Sequence, residues 1–184
     1  MNRSIRHWLL LFAIIAVVLA ADQLTKRFVD ENLRLGETRQ PIPALAPFFQ
    51  ITRSHNTGIA FGFLPQAGDL FLVIAVVVVI AMIYFYPRIS GPATLQRIGA
   101  GLICGGALGN ALDRLQYGMV IDFIHYQIPG VVSNVSNIAD HAIVIGVVLI
   151  FIDSWLKDRA EQRELSAQAA ETTVRPEHEE EVKS

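Results

Sequence analysis

Residues 70–86 read LFLVIAVVVVIAMIYFY, a run with no charge and no helix breaker. At 1.5 Å of rise per residue a helix of this length approaches the ~30 Å hydrocarbon core of a bilayer. Working outward from it, three further segments come near the same length: Trp8 to Ala21, extendable through Leu24; Ile98 to Leu112; and Ile138 to Trp155. The expected fold class is therefore all-α, a bundle of four transmembrane helices.

Composition agrees. Of 184 residues 52% are apolar and 17% charged, with a mean hydropathy of +0.41, above ordinary soluble usage. The net charge of −2 belongs to the end of the chain: residues 157–184 carry 8 acidic and 5 basic side chains. No basic stripe with interleaved aromatics exists, so nucleic acid is not an expected partner. The single cysteine, Cys104, lies in an apolar run and can build neither a disulfide framework nor a thiolate metal site.

Arg3 and Arg6 ahead of an apolar run ending in Leu19-Ala20-Ala21 also fit a cleavable secretory signal. Retained as a span, the segment makes the number of spans even and places both termini on one side. Lys and Arg collect at the N-terminus, between spans two and three (Arg88, Arg97) and after span four (Lys157, Arg159, Arg163), which assigns those ends to the cytoplasm. The other side carries two long connections, about 25–68 and 114–137. Phe48 to Arg53 and Met119 to Gln127 read as short strands, and a small sheet built from them belongs at or above the headgroups, because open sheet edges are not tolerated in hydrocarbon. In the third span Gly101, Gly105 and Gly109 repeat a small-residue spacing that lets a neighbouring helix approach, which places this span centrally. Past about Ala169 the Glu-rich tail is expected to be disordered.

Polar residues converge on the outer side: Asp22 at the end of span one, Asn110, Asp113 and Arg114 at the end of span three, Asn137 and Asp140 at the start of span four, and Asp122 between the last two groups. Such residues are costly in a membrane and usually line a polar cavity. Some have plain structural readings. Asp22 and Lys26 form an acid-before-base helical pair, or Asp22 simply stops the span; Asp113 and Arg114 suit an interfacial ion pair, or Arg114 holds a substrate carbonyl or phosphate. Asn56 and Asn110 suit loop fixation or recognition of a peptide backbone.

Asp122 and Asp140 each sit among apolar neighbours without an adjacent cation. Two carboxyls sharing a partly desolvated site do not both ionise easily, so one keeps its proton. That is the acid/base arrangement of an aspartic protease. A metal set of Asp122, His125, Asp140 and His141 competes, but adjacent Asp140 and His141 diverge by about 100° on a helix. A Ser/Lys hydrolase has only Lys26 to draw on before the tail, next to Asp22.

Five ordered blocks resemble the bacterial lipoprotein signal peptidases (signal peptidase II): Asp22-Gln23-Leu24-Thr25-Lys26, Asn56-Thr57-Gly58-Ile59-Ala60-Phe61, Gly105 through Arg114, Val120-Ile121-Asp122-Phe123, and Asn137-Ile138-Ala139-Asp140. The resemblance implies a membrane aspartyl endopeptidase domain over residues 1–156, followed by a cytoplasmic polar tail, 157–184. It implies cleavage before the lipidated cysteine of prolipoproteins carrying a diacylglyceryl-cysteine, in the inner membrane, with the active site and a small β cradle on the periplasmic face. Asp122 and Asp140 become the catalytic pair, with Asn56, Asn110, Arg114 and Asn137 lining the site and Asp22 and Lys26 supporting it. No metal, no cofactor and no obligate protein partner are implied, beyond membrane lipid. Two positions depart from the family pattern: Ser136 stands where an aromatic is usual and His141 where a small hydroxyl residue is usual. An imidazolium at 141 would favour ionised carboxylates. Two other classes fit the membrane carboxylates: a small proton-coupled transporter, although the inner halves of the spans are apolar, and a noncatalytic relative that binds lipidated peptides.

Overall fold

The computed structural model describes residues 3–46, 48–58, 67–89 and 93–181, with no side-chain detail for Arg3, Ala67 and 170–181. Pro47 and Ile59-Ala60-Phe61 of the second family-like block lie outside the described residues. The elements run α1 (Arg3–Asn32), β1 (Thr38–Arg39), β2 (Phe49–Asn56), α2 (Ala67–Phe85), α3 (Thr94–Tyr117), β3 (Val120–Ile128), β4 (Val132–Ser136) and α4 (Ile138–Glu181), with short 3-10 turns at Pro43–Leu45 and Tyr86–Arg88.

Three stretches are long and apolar enough to cross a membrane: Ser4–Asn32, Gly68–Arg88 and Ile138–Ala169. They expose Phe12, Val17, Phe28, Val73, Val77, Ile80, Val144 and Phe151 to the surroundings. So much contiguous apolar surface is a lipid-facing exterior, not one for water. α3 is less apolar because it is the interior of the bundle, packed against α1, α2 and α4.

Glycine makes that packing possible. A Cβ built on Gly101 would fall 2.8 Å from Ile14 Cγ2, and one on Gly105 would fall 2.7 Å from Val18 Cβ. The face 101/105/109 thus seats against α1, and Gly109 faces Asp22. A second face seats against α4: Gly99 and Gly146 oppose each other, and Gly106 meets the carbonyl of Ala139. In lipid, where burial of apolar surface gives helices little reason to associate, such close backbone approach is the main attraction.

α3 ends at Gly118, in the left-handed region with φ +71°, whose N–H bonds to the Arg114 carbonyl. This cap turns the chain directly into β3. The four strands form one antiparallel sheet in the order β1-β2-β3-β4, with a register shift between Ile51 and Ser54 where β2 bends along β3. The sheet exceeds the expected pair of strands. β1 is only two residues, and β4 (VSNVS) has too little apolar alternation to signal a strand. Val29 on α1 packs with Phe123 and Ile124 of β3, joined by Phe49, Ile51 and Ile138, so the sheet rests on the end of α1.

One expectation is corrected: Asp22 does not stop α1, which continues ten residues to Asn32, because its charge is neutralised internally and the following turns bury Val29 and Leu33. α4 runs as one helix from Ile138 to Glu181, in keeping with the helix-forming Ala, Glu, Gln and Arg that dominate residues 158–171.

Candidate active site

Asn137, Ile138, Ala139 and Asp140 make a capping box. The Asp140 N–H donates to Asn137 Oδ1 at 2.9 Å, and the Asn137 N–H donates back to Asp140 Oδ2 at 3.2 Å. The motif begins α4 and in doing so fixes the Asp140 carboxyl. The Asn137 side chain reaches the other way as well, with Nδ2 donating to Asp122 Oδ1 at 2.7 Å. One asparagine therefore spans both acids, one from β3 and one from α4.

The remaining oxygens are also satisfied. Asn56 Nδ2 donates to Asp122 Oδ2 at 2.9 Å, while its own Oδ1 accepts the Gly58 N–H at 2.9 Å, which fixes the direction of the amide. Asn110 Nδ2 donates to Asp140 Oδ1 at 2.7 Å, and Asn110 Oδ1 accepts from Lys26 Nζ at 3.0 Å and Asn137 Nδ2 at 3.1 Å. With two donors on its oxygen, Asn110 can only turn its NH₂ towards Asp140.

Burial pushes the Asp122 carboxyl up to about 6; the nearby charge of Asp140 adds to the rise, and the hydrogen bonds from Asn56 and Asn137 and the charge of Lys26 oppose it. Asp122 is only 2% exposed. Desolvation wins over the donors, so Asp122 is the carboxyl that retains a proton into the near-neutral range.

Behind the pair lies a buried ionic cluster. Lys26 Nζ sits 2.8 Å from both Asp22 Oδ2 and Asp113 Oδ2, and Gln23 Nε2 donates to Asp113 Oδ1 at 2.8 Å. The free oxygen of Asp22 accepts the Ala139 N–H at 2.9 Å, and Asp113 accepts the Ile121 N–H at 3.1 Å. Each supporting carboxylate thus grips the backbone of the residue immediately before one member of the pair. The anticipated Asp113–Arg114 ion pair is not formed. Successive helix positions diverge, so Asp113 turns inward to Lys26, whereas Arg114 donates to the Asn110 carbonyl at 3.2 Å and lies over the Phe71 ring.

A cavity of about 420 Å³ opens beside the pair between α2, α3 and α4. Its polar end has Asn56, Asn110, Arg114 and Asp140; its walls are apolar, including Phe71, Ile74 and Val78. The arrangement presents the Asp140 carboxyl in a lipid-compatible groove, with Asp122 buried beside it under the amides of Asn56 and Asn137.

The histidines of the competing metal set are engaged elsewhere. His125 bonds Thr52 Oγ1 and Ser133 Oγ, each at 2.9 Å, across three strands. His141 Nδ1 donates to the Asn137 carbonyl at 2.6 Å and its ring packs near Tyr126. Among the described residues no three His, Cys, Asp or Glu side chains converge as a metal site. Ser136, in place of an aromatic, is buried with its hydroxyl donating to the Ile124 carbonyl at 3.4 Å. The structure brings the residues singled out in the sequence together around Asp122 and Asp140; Asp113 as partner of Lys26 and Gln23 as its hydrogen-bond donor are what the sequence reading misses.

Residues 14–156 match the family model described as Signal peptidase (SPase) II. Similar proteins include the lipoprotein signal peptidase of Halothermothrix orenii, 38% identical over 82% of this chain and 98% of that protein. That of Bacillus subtilis is 37% identical over 85% of this chain and 99% of its own length. Among solved structures, a bacterial membrane enzyme determined at 1.9 Å is 34% identical and superposes with a TM-score of 0.72, covering 80% of this chain and 93% of that one.

Proposed function

The chain belongs to the signal peptidase II family of aspartic peptidases that remove signal peptides from lipoprotein precursors, and on that premise we propose that Asp122 and Asp140 are its catalytic pair. The observation that carries this reading is the bridge made by Asn137, which hydrogen-bonds both acids, one of which, Asp140, lines an apolar groove. In the reaction Asp140, ionised, takes a proton from a water whose oxygen attacks the scissile carbonyl carbon. Asp122, protonated, gives its proton to the carbonyl oxygen. Collapse of the tetrahedral diol breaks the C–N bond: the proton gained by Asp140 passes to the leaving amine of the cysteine, one diol hydroxyl returns its proton to Asp122 as the new carboxyl group forms, and both acids regain their starting states.

The substrate is a prolipoprotein whose cysteine already carries diacylglycerol, cut immediately before that cysteine. Burial of the acyl chains holds the bond at headgroup depth, a contribution that small residues around the bond lack. Asn56, Asn110, Arg114 and Asn137 bind and orient the peptide, and Asp22 and Lys26 support the pair. In this reading α3 crosses the membrane as well as the three apolar helices, so four spans leave both termini on one side, which the basic residues at the ends assign to the cytoplasm, and the pair then faces the periplasm across the inner membrane. Residues 1–156 are the peptidase domain and 157–184 a cytoplasmic tail.

The test is cleavage of a diacylglyceryl-modified precursor by purified protein with and without a chelator. Asp122→Asn and Asp140→Asn should each lower kcat by about 10³-fold or more, the scale of losing an acid or base that the chemistry requires. Full-rate cleavage by either variant overturns the assignment, and chelator-sensitive cleavage would return the metal reading.

A further inference from the structure

At the end of the bundle remote from the carboxyl pair, Arg97 is buried at 6% exposure in the first turns of α3. Thirteen residues separate it from Asn110, about 20 Å along a helix. Among the described residues no ion pair joins Arg97 to a carboxylate. One amino group donates to the Ile89 carbonyl, and the guanidinium lies 5.5 Å from the Tyr86 ring centroid. Sequence explains the missing anion: residues 1–21 and 70–112 contain no Asp or Glu. Asp153, the acid that α4 brings to this end, is already paired with Lys157 at 2.6 Å. A buried cation without an anion is a costly arrangement.

Arg97 lines a cavity of about 260 Å³ together with Ser4, His7, Trp8, Tyr86 and Ile89. The Tyr86 hydroxyl donates to the His7 carbonyl at 2.7 Å, and the Trp8 ring lies 5.1 Å from that of Tyr86, so the aromatic wall joins the start of α1 to the 3-10 turn. Trp8 stacks in turn on Phe12, which is exposed on the outer face of α1. Arg88 lies nearby in sequence on the 3-10 turn, over the Tyr84 ring. Aromatic rings beside cations are the usual make-up of a membrane–water interface.

We propose that this cavity is a binding site for the phosphate group of an anionic phospholipid. The phosphate would pair with Arg97 beside the hydroxyl of Ser4 and the imidazole of His7, while the acyl chains run along Phe12 and Leu9 on the exposed face of α1. Free phosphate shares the charge but gains nothing from the apolar flank, which selects the lipid.

Trp8 gives the readout. The other tryptophan is Trp155, so in full-length Trp155→Phe protein the emission comes from Trp8 alone. In neutral detergent, titration with phosphatidylglycerol should give a saturable change in emission that phosphatidylcholine does not reproduce. Inorganic phosphate at equal concentration should not compete. Arg97→Gln should weaken phosphatidylglycerol binding at least about fivefold, the scale of one cation at an anionic surface, with precursor cleavage retained as proof of folding. Equal responses to the two lipids overturn the proposal even if that variant fails to fold. So does unchanged affinity in a folded Arg97→Gln protein, and competition by phosphate reassigns the cavity to a soluble anion.

Discussion

Lys26 makes three contacts with the site, to Asp22, Asp113 and Asn110, and it is 2% exposed. Replacing it with methionine leaves two buried carboxylates facing each other without a cation, a loss of about 3–5 kcal/mol for a broken buried pair. Lys26→Met should therefore lower the midpoint of thermal unfolding markedly, and adding Asp22→Asn with Asp113→Asn should recover much of it, since neutral amides can still accept the Ala139 and Ile121 N–H groups. Failure of the triple variant to recover would mean that the cluster does not act through charge balance. A second residue-scale prediction concerns pH. Asp122 must hold a proton to act as the acid, and its carboxyl is raised to about 6, so kcat/KM should fall as pH rises through that value. Asn56 donates to this carboxyl and favours its ionised form, hence Asn56→Ala should move the alkaline limb to higher pH. A limb that stays in place, or moves down, would refute Asp122 as the acid. The two acids are legible in the sequence because each is isolated among apolar residues. The partner of Lys26 is not, because Asp113 lies 87 positions away and Arg114, its chain neighbour, is the more obvious mate.

At the scale of elements the question is how accurately two backbones must meet. Gly99 and Gly106 both face α4, but Gly106 opposes Ala139, next to Asp140, whereas Gly99 opposes Gly146, two turns further along. A methyl group at either position forces the helices apart. Gly106→Ala should cut kcat by about 10- to 100-fold, as misplacement of a reacting group by roughly 1 Å does, whereas Gly99→Ala should act mainly on thermal stability. Equal losses of kcat would show that α3 and α4 move as one rigid pair. The glycine spacing and the apolar runs made the helices legible, since lipid leaves a plain mark on composition. The short strands left none. β1 and β4 owe their existence to pairing with β2 and β3 and not to residue preference, and such tertiary pairing overrides local propensity.

For the whole molecule, the carboxyl pair draws its supports from α1, α3, α4 and the sheet together, while the groove beside it lies between α2, α3 and α4. The part of the chain outside this assembly is the far end of α4. At 44 residues α4 would span roughly 66 Å, about twice a bilayer core, so much of it projects beyond the bundle. The family match ends at residue 156, and residues 157–169 are exposed throughout. Lys157 ties the start of this segment back, to Asp153 and to Gln96 Oε1 at 3.2 Å. Deleting 160–184 preserves both. Truncated protein should cleave the lipidated precursor with kcat/KM within about twofold of the full chain and unfold within a few degrees of it, as expected for removal of exposed terminal residues. If cleavage instead fell tenfold in detergent, the projecting helix would have to steer or hold substrate. If it fell only in intact membranes, the helix would act through the membrane surface or a neighbour there.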